Sequence, residues 1–301
     1  MLDDGVTHVV LGATGHIGSA TADALLRAGR RVCVVTRSTD KAAAWAARGA
    51  EPAVADLGDR AAMAGVLSSS SPVRVFALNP PGSIRADPDA DEDRTAAAIV
   101  EALGAARVER VVALSTYGAR PGRRIGDLGT LHRFESLLRD LDAPVSVVRA
   151  GYLYSNWDGA PEPARTRGHV PVMLDPDRPL PMVAPADVGG EAARLLTLDE
   201  PNHDICHVEG PHRYTPRDVA RAFATALGSP VDTLRTSPDQ WTSTFLAAGF
   251  SAAAADSFTG LTTLADAETW ELDATPTRGS TTLETYISAL VARTHETPLH
   301  N

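Results

Sequence analysis

Cysteine is scarce: Cys33 and Cys206, far apart in sequence, are the only two in 301 residues. A disulfide-held scaffold is therefore excluded. Cys33 lies inside the apolar run "RVCVV" and reads as a buried thiol, which fits a reducing cytoplasm. Long apolar runs are also missing. No stretch approaches the ~18 residues that a membrane-spanning helix needs. The opening "MLDDG" is acidic and carries no apolar leader, so a cytoplasmic protein is expected. Basic charge is in short supply too, with 28 basic residues against 38 acidic ones and a formal charge of −10. The basic residues are scattered, and an acidic surface repels phosphate backbones, so nucleic acid is not an expected partner. There is no internal repeat. The serine stretch "ALSTYG" lacks the G-x-S-x-G elbow of a hydrolase.

What is present is ordinary globular composition, 44% apolar and 22% charged, in a chain long enough for one large domain or two modest ones. Through about residue 150, apolar β-branched runs alternate with helical periodicity. "VTHVVLG", "RVCVVTR", "EPAVADL", "VRVFALNPPG", "RVERVVALS" and "APVSVVRAG" read as six strands. The segments between them read as helices, closed by short links. That rhythm predicts an α/β fold, a Rossmann-type doubly wound parallel sheet covered on both faces. After Gly151 the rhythm fails, and Pro-, Gly- and Asp-rich segments alternate with a few helices and strands. The expected division is a dinucleotide-binding domain over 1–150 and a smaller mixed region over 151–301, packed on the sheet and lining a substrate pocket.

Gly12, Gly15 and Gly18 of "VVLGATGHIG" stand between the first strand and the first helix. Three spaced glycines alone are weak. At the head of a βαβ unit they match the dinucleotide motif, in which the helix N-terminus faces the pyrophosphate. The alternative is a tight turn without a ligand. Thr14 adds a hydroxyl and Ile17 lies in the same turn. His16 either caps the helix or lies over the pyrophosphate. At the end of the second strand, where an NAD site places a carboxylate, stands Arg37, followed by Ser38 and then Lys41. A guanidinium there grips a ribose 2′-phosphate, so NADPH (NADP) is the expected cofactor. Ser38 or Thr39 also reads as a helix cap. Asp56 is either near the adenine or a turn residue. Asn79 and Pro80 of "NPP" are expected to pass the cofactor ribose.

"GATGHIG", Arg37, "ADLGD", "NPPG", "LST" and "LHRFESLLRDLDAPVSVVRAGYLYSNW" together resemble the NmrA-like family, atypical extended members of the short-chain dehydrogenase/reductase superfamily. The resemblance covers nearly the whole chain and is strongest over 6–157. It implies a dinucleotide-binding protein. Some members reduce quinones, enones or imines with NADPH, while others bind the dinucleotide as redox sensors. The superfamily's Tyr-x-x-x-Lys pair maps to "LGTLH", where Leu128 replaces the tyrosine and His132 takes the lysine place. His132 is then a ribose ligand, an acid, or a structural residue of the helix face. Ser115 matches the catalytic-serine region, and Tyr117 is a substitute for the lost tyrosine or a packing residue. Tyr152, Tyr154, Asn156 and Trp157 are candidate pocket walls.

His203, His207 and His212 lie close together, but the spacing supports no metal site. The expected function is reduction of a small apolar or aromatic electrophile by a monomer or homodimer with no membrane attachment. A non-catalytic NADP-binding regulator and an epimerase- or dehydratase-type use of the cofactor are the alternatives.

Overall fold

Residues 5–68, 72–200, 205–267 and 275–296 are described in the computed structural model. The first half alternates strand and helix: β1 (Thr7–Val10), α1 (His16–Arg27), β2 (Arg31–Thr36), α2 (Thr39–Ala46), β3 (Glu51–Val54), α3 (Arg60–Leu67), β4 (Val73–Ala77), α4 (Pro88–Ala105), β5 (Val108–Thr116), α5 (Asp127–Leu138) and β6 (Val145–Ala150). Local chemistry starts these helices. Asp59 and Asp87 accept backbone N–H groups at the starts of α3 and α4, and Pro88 occupies the first turn of α4. All the strand pairs among them are parallel.

The second half adds β7 (Tyr152–Leu153), α6 (Pro161–Arg167), β8 (His169–Val172), β9 (Met182–Val183), α7 (Pro185–Thr197), β10 (Ile205–Glu209), α8 (Pro216–Leu227), β11 (Asp232–Arg235), α9 (Trp241–Ala247), α10 (Ala252–Asp266), β12 (Thr277–Arg278) and α11 (Leu283–Glu296). The main sheet has eight strands in the order β12-β10-β6-β5-β4-β1-β2-β3. It does not end at residue 150. β10 and β12 continue it in parallel register beyond β6. Without them β6 would be an unpaired edge. The division expected at 150 allows discontinuous contributions, and residues from both halves build the one doubly wound sheet.

Ile17, Leu25, Val188 and Leu196 of α1 and α7 cover one face, while Met63, Ile99 and Phe134 of α3, α4 and α5 cover the other. Burying each such large apolar side chain is worth about 1.5–3 kcal/mol. A separate core of Tyr154, Phe223, Leu283 and Ile287 knits the C-terminal elements. There, Thr215 and Asp218 form a reciprocal cap with Pro216 at the first position of α8.

Candidate functional site

The glycine turn leaves β1 with Gly12 at φ +65°, in the left-handed region. The Gly15 N–H donates to the Gly12 carbonyl at 3.0 Å and closes the turn. A methyl group on Gly18 would stand 2.2 Å from that same carbonyl oxygen, so α1 can approach β1 this closely only with glycine there. At Gly15 the added carbon would meet nothing nearer than 3.5 Å. Internal packing therefore does not require glycine at this position, and its bare surface faces outward. No side chain caps α1, so its first N–H groups and partial positive charge are offered to an anion. This cradle fits a dinucleotide pyrophosphate.

Two cavities meet at the turn, across the carboxyl ends of the strands. One, of 490 Å³, runs from Gly12 and Thr14 past Arg37, Asp56 and Pro80. The other, of 810 Å³, begins at Ile17 and extends under β7 and α10. Pro81 lines both. The crevice thus lies where the strand order reverses about β1, the place where doubly wound sheets take ligands.

The smaller cavity is lined by Gly12, Thr14, Arg37, Asp56 and Pro80 of the expected cofactor residues. Arg37 is exposed and makes no ion pair among the described residues. Ser38 serves as the α2 cap, its hydroxyl oxygen accepting the Lys41 N–H at 3.3 Å. Asp56 accepts the Gly58 N–H at 2.8 Å, the turn role, while also lining the crevice. His16 is mostly exposed, 3.7 Å from Asp158 across the cavity rim. The "NPP" segment is expected to pass the ribose with its backbone; the Asn79 side chain turns into the core, donating to the Glu92 carbonyl at 3.2 Å, and Pro80 and Pro81 line the crevice. Glu92 itself is buried and accepts the Gly82 N–H at 2.9 Å, tying this loop to α4. Burial pushes its carboxyl up to about 7 against the pull of that hydrogen bond.

The expected acids do not present protons to the larger cavity. Ser115 lines it, but its hydroxyl donates to buried Glu135, which Arg149 grips with two bonds of 2.9 and 2.7 Å. Tyr117 lines it as well, yet its hydroxyl donates to Glu209 at 2.8 Å and its ring packs on His207. Although burial pushes Glu209 up, the bonds from Arg213 and Tyr117 and the charge of Arg278 hold it below the ordinary carboxylate range. His132 does not line the cavity, which fits the structural alternative for it. It is half-buried on α5, and the helix is turned so that Asp127, Leu128 and Leu131 meet the cavity instead.

Tyr152, Asn156 and Trp157 line the cavity. Burial pushes the Tyr152 phenol up to about 12, against a hydrogen bond from Asn156. Tyr154 is corrected: it is fully buried between Tyr214 and Tyr286, with its hydroxyl on the Thr281 carbonyl, in the C-terminal core. His203 lies outside the described residues.

Three contributors escaped sequence reasoning. Phe245 of α9 and Phe258 and Leu261 of α10 close the far wall of the cavity. α10 is pinned there by Ser257, which donates to Asp89 and accepts the Gly126 N–H at 3.0 Å. The phenylalanines at 245, 250 and 258 were visible as a cluster in the sequence. Asp127, the first residue of α5, is a fourth lining residue outside the expected set, directly before "LGTLH".

A parallel doubly wound sheet with a glycine turn, an uncapped helix start and a crevice at the strand reversal defines a dinucleotide-binding α/β protein. The family model described as NAD(P)H-binding matches residues 12–169, so the chain belongs to that family and NAD(P)H is its cofactor. A curated relative, "Nitrogen metabolite regulation-like protein bik4" of Gibberella fujikuroi, is 28% identical over 67% of each chain. The Citrobacter sp. triphenylmethane reductase complexed with NADP(H) superposes with a TM-score of 0.78 at 15% identity, covering 95% of this chain and 99% of that one. The Escherichia coli NADPH-dependent quinone oxidoreductase QOR2 with NADPH gives 0.73 at 21%, covering 94% and 99%. The NmrA-like, atypical short-chain reductase resemblance read from the sequence holds in these comparisons. Among the described residues no helix is long and apolar enough to cross a membrane.

Proposed function

We propose that the protein is an NADPH-dependent reductase of a small, planar, apolar electrophile such as a quinone, enone or imine. The observation that carries this reading is the 810 Å³ cavity, walled by Tyr152 and Trp157 on one side and Phe245 and Phe258 on the other, opening beside the glycine turn. A flat ring between aromatic walls is held by its faces and excludes water from the reacting carbon. The triphenylmethane and quinone reductases of the same fold support the choice of acceptor class.

In this reading Gly12, Thr14, Gly15, His16, Ile17 and Gly18 seat the pyrophosphate. Arg37, with the Ser38 hydroxyl, selects the 2′-phosphate. Asp56 meets the adenosine end, and Pro80 lies beside the ribose. The bound reduced nicotinamide supplies hydride. Ser115, fixed by Glu135, and Tyr117, fixed by Glu209, shape the floor as positioning residues.

A regulator that binds the dinucleotide without turnover is the second reading. The engaged hydroxyls of Ser115 and Tyr117 favour it, as does the regulation-like relative. The two separate in one assay, oxidation of NADPH followed by absorbance with quinones, enones and imines. Turnover with a planar class supports the reductase. Tight NADPH binding with every acceptor inert supports the regulator.

A further inference from the structure

We propose that Asp127 is the proton donor of this active site, taking the part left by the missing tyrosine. The inference rests on the reductase reading above and adds the residue that completes it. The superfamily's tyrosine position maps to Leu128, on the first turn of α5, and Asp127 is its immediate neighbour on that turn. It lines the larger cavity with Ser115, Tyr117 and Tyr152. Ser115 and Tyr117 direct their protons into buried carboxylates, away from a ligand. Asp127 differs. Its carboxyl makes no hydrogen bond or ion pair to another described residue and opens into the cavity.

Asp127 is exposed to the cleft, and its surroundings favour the protonated form. Enclosure by the protein around the cleft raises the carboxyl above the ordinary range, against a bond from its own backbone N–H, and Asp89 adds repulsion. The charged groups that act on it or that it acts on are Asp89 and Glu92 of α4; Tyr117 and Tyr152 line the same cavity. Arg124, the nearby cation, is spent on Asp87 through two bonds of 2.7 and 2.6 Å, with Asp89 3.8 Å away. No cation is among the groups that shift Asp127.

The step balances simply. For an enone, hydride from the reduced nicotinamide adds to the β-carbon, the cofactor is oxidised, and the electron pair moves to the carbonyl oxygen. Asp127 gives that oxygen its proton, becomes carboxylate, and regains a proton from water in the cleft. An iminium ion accepts hydride at carbon and becomes a neutral amine, with no proton required.

That difference supplies the test. Wild type, Asp127→Asn and Asp127→Glu are assayed with NADPH against chalcone, a planar enone, and against a cyclic N-methyl iminium salt. Asp127→Asn is expected to lower kcat/KM for chalcone about 100-fold, the scale of a lost general acid, and to change the iminium reaction less than about threefold. For wild type, kcat/KM with chalcone falls as pH rises through the Asp127 pKa. The Asn variant loses that limb, and Asp127→Glu restores part of the rate. Independently of turnover, an infrared pH titration shows a protonated-carboxyl stretch that persists above the ordinary carboxylate range, disappears in Asp127→Asn and survives in Glu92→Gln. Equal losses on both acceptors, or an unchanged chalcone pH profile, overturn the acid role while leaving the reductase reading intact. Wild-type inertness toward both acceptors overturns the reductase reading and the acid role with it.

Discussion

Removing Arg37 isolates one term of cofactor recognition. The side chain is exposed, lines the smaller cavity and has no ion-pair partner among the described residues, so Arg37→Ala disturbs no packing. Surface changes of this kind alter stability by less than about 0.5 kcal/mol. A guanidinium on a phosphate forms charge-assisted bonds worth about 1.5–3 kcal/mol, and the solvent exposure here places the loss near about 2 kcal/mol. At about 1.4 kcal/mol per factor of ten, the Kd for NADPH rises about 30-fold. NADH has no 2′-phosphate, so its Kd stays within about twofold. Titration of reduced-nicotinamide fluorescence measures both. The gap between wild type and variant narrows as salt rises, because the contact is exposed. Equal weakening of NADPH and NADH, or no weakening of NADPH, refutes the assignment of Arg37 to the 2′-phosphate.

Other expectations follow from the same geometry. Glu92 is raised from the ordinary 4.5 to about 7, so the folded state keeps a proton that the unfolded chain has released. Its contribution is therefore neutral below about 4.5, turns against folding as pH rises to about 7, and is constant above, a cost of about 3 kcal/mol. Glu92→Gln, which still accepts the Gly82 N–H, should flatten this stretch of a urea-stability profile and be the more stable protein at pH ~8. Tyr117→Phe deletes a buried bond to Glu209, whose two arginines remain, and should lose about 1–2 kcal/mol of stability while lowering kcat less than about tenfold. A drop above about a hundredfold would make Tyr117 the acid after all. Gly18→Ala places a carbon against the Gly12 carbonyl and should abolish measurable NADPH binding at concentrations where wild type saturates, with circular dichroism retained.

Local rules reached far into this protein. Continuous apolar strands, capped helices and a glycine turn before α1 are properties of short segments, and the first half folds accordingly. β12, by contrast, has two residues and is a strand only because β10 lies beside it. α10 carries Gly260 in mid-helix, where the neighbouring Arg124 carbonyl leaves no room for a larger residue. That demand comes from a distant segment. The site divides in the same way. Arg37 and the glycines follow from position after a strand. The direction of the Tyr117 hydroxyl depends on Glu209, 92 residues away, and whether Tyr154 meets a ligand or a core depends on Tyr214 and Tyr286. The rotation of α5, which shows Asp127 and Leu128 to the cavity and turns His132 aside, is set by packing further along the same stripe, through Leu131, Phe134 and Leu138.

The central claim is that hydride passes from the cofactor to an acceptor held between the aromatic walls. A single turnover with NADPH deuterated at the nicotinamide C4, on each face in turn, and chalcone in excess over enzyme tests it most directly. Mass spectrometry of the reduced ketone should find deuterium on the β-carbon from one face only, with the cofactor fully oxidised. Saturating, tightly bound NADPH that stays reduced, with unlabelled chalcone recovered, would contradict the account.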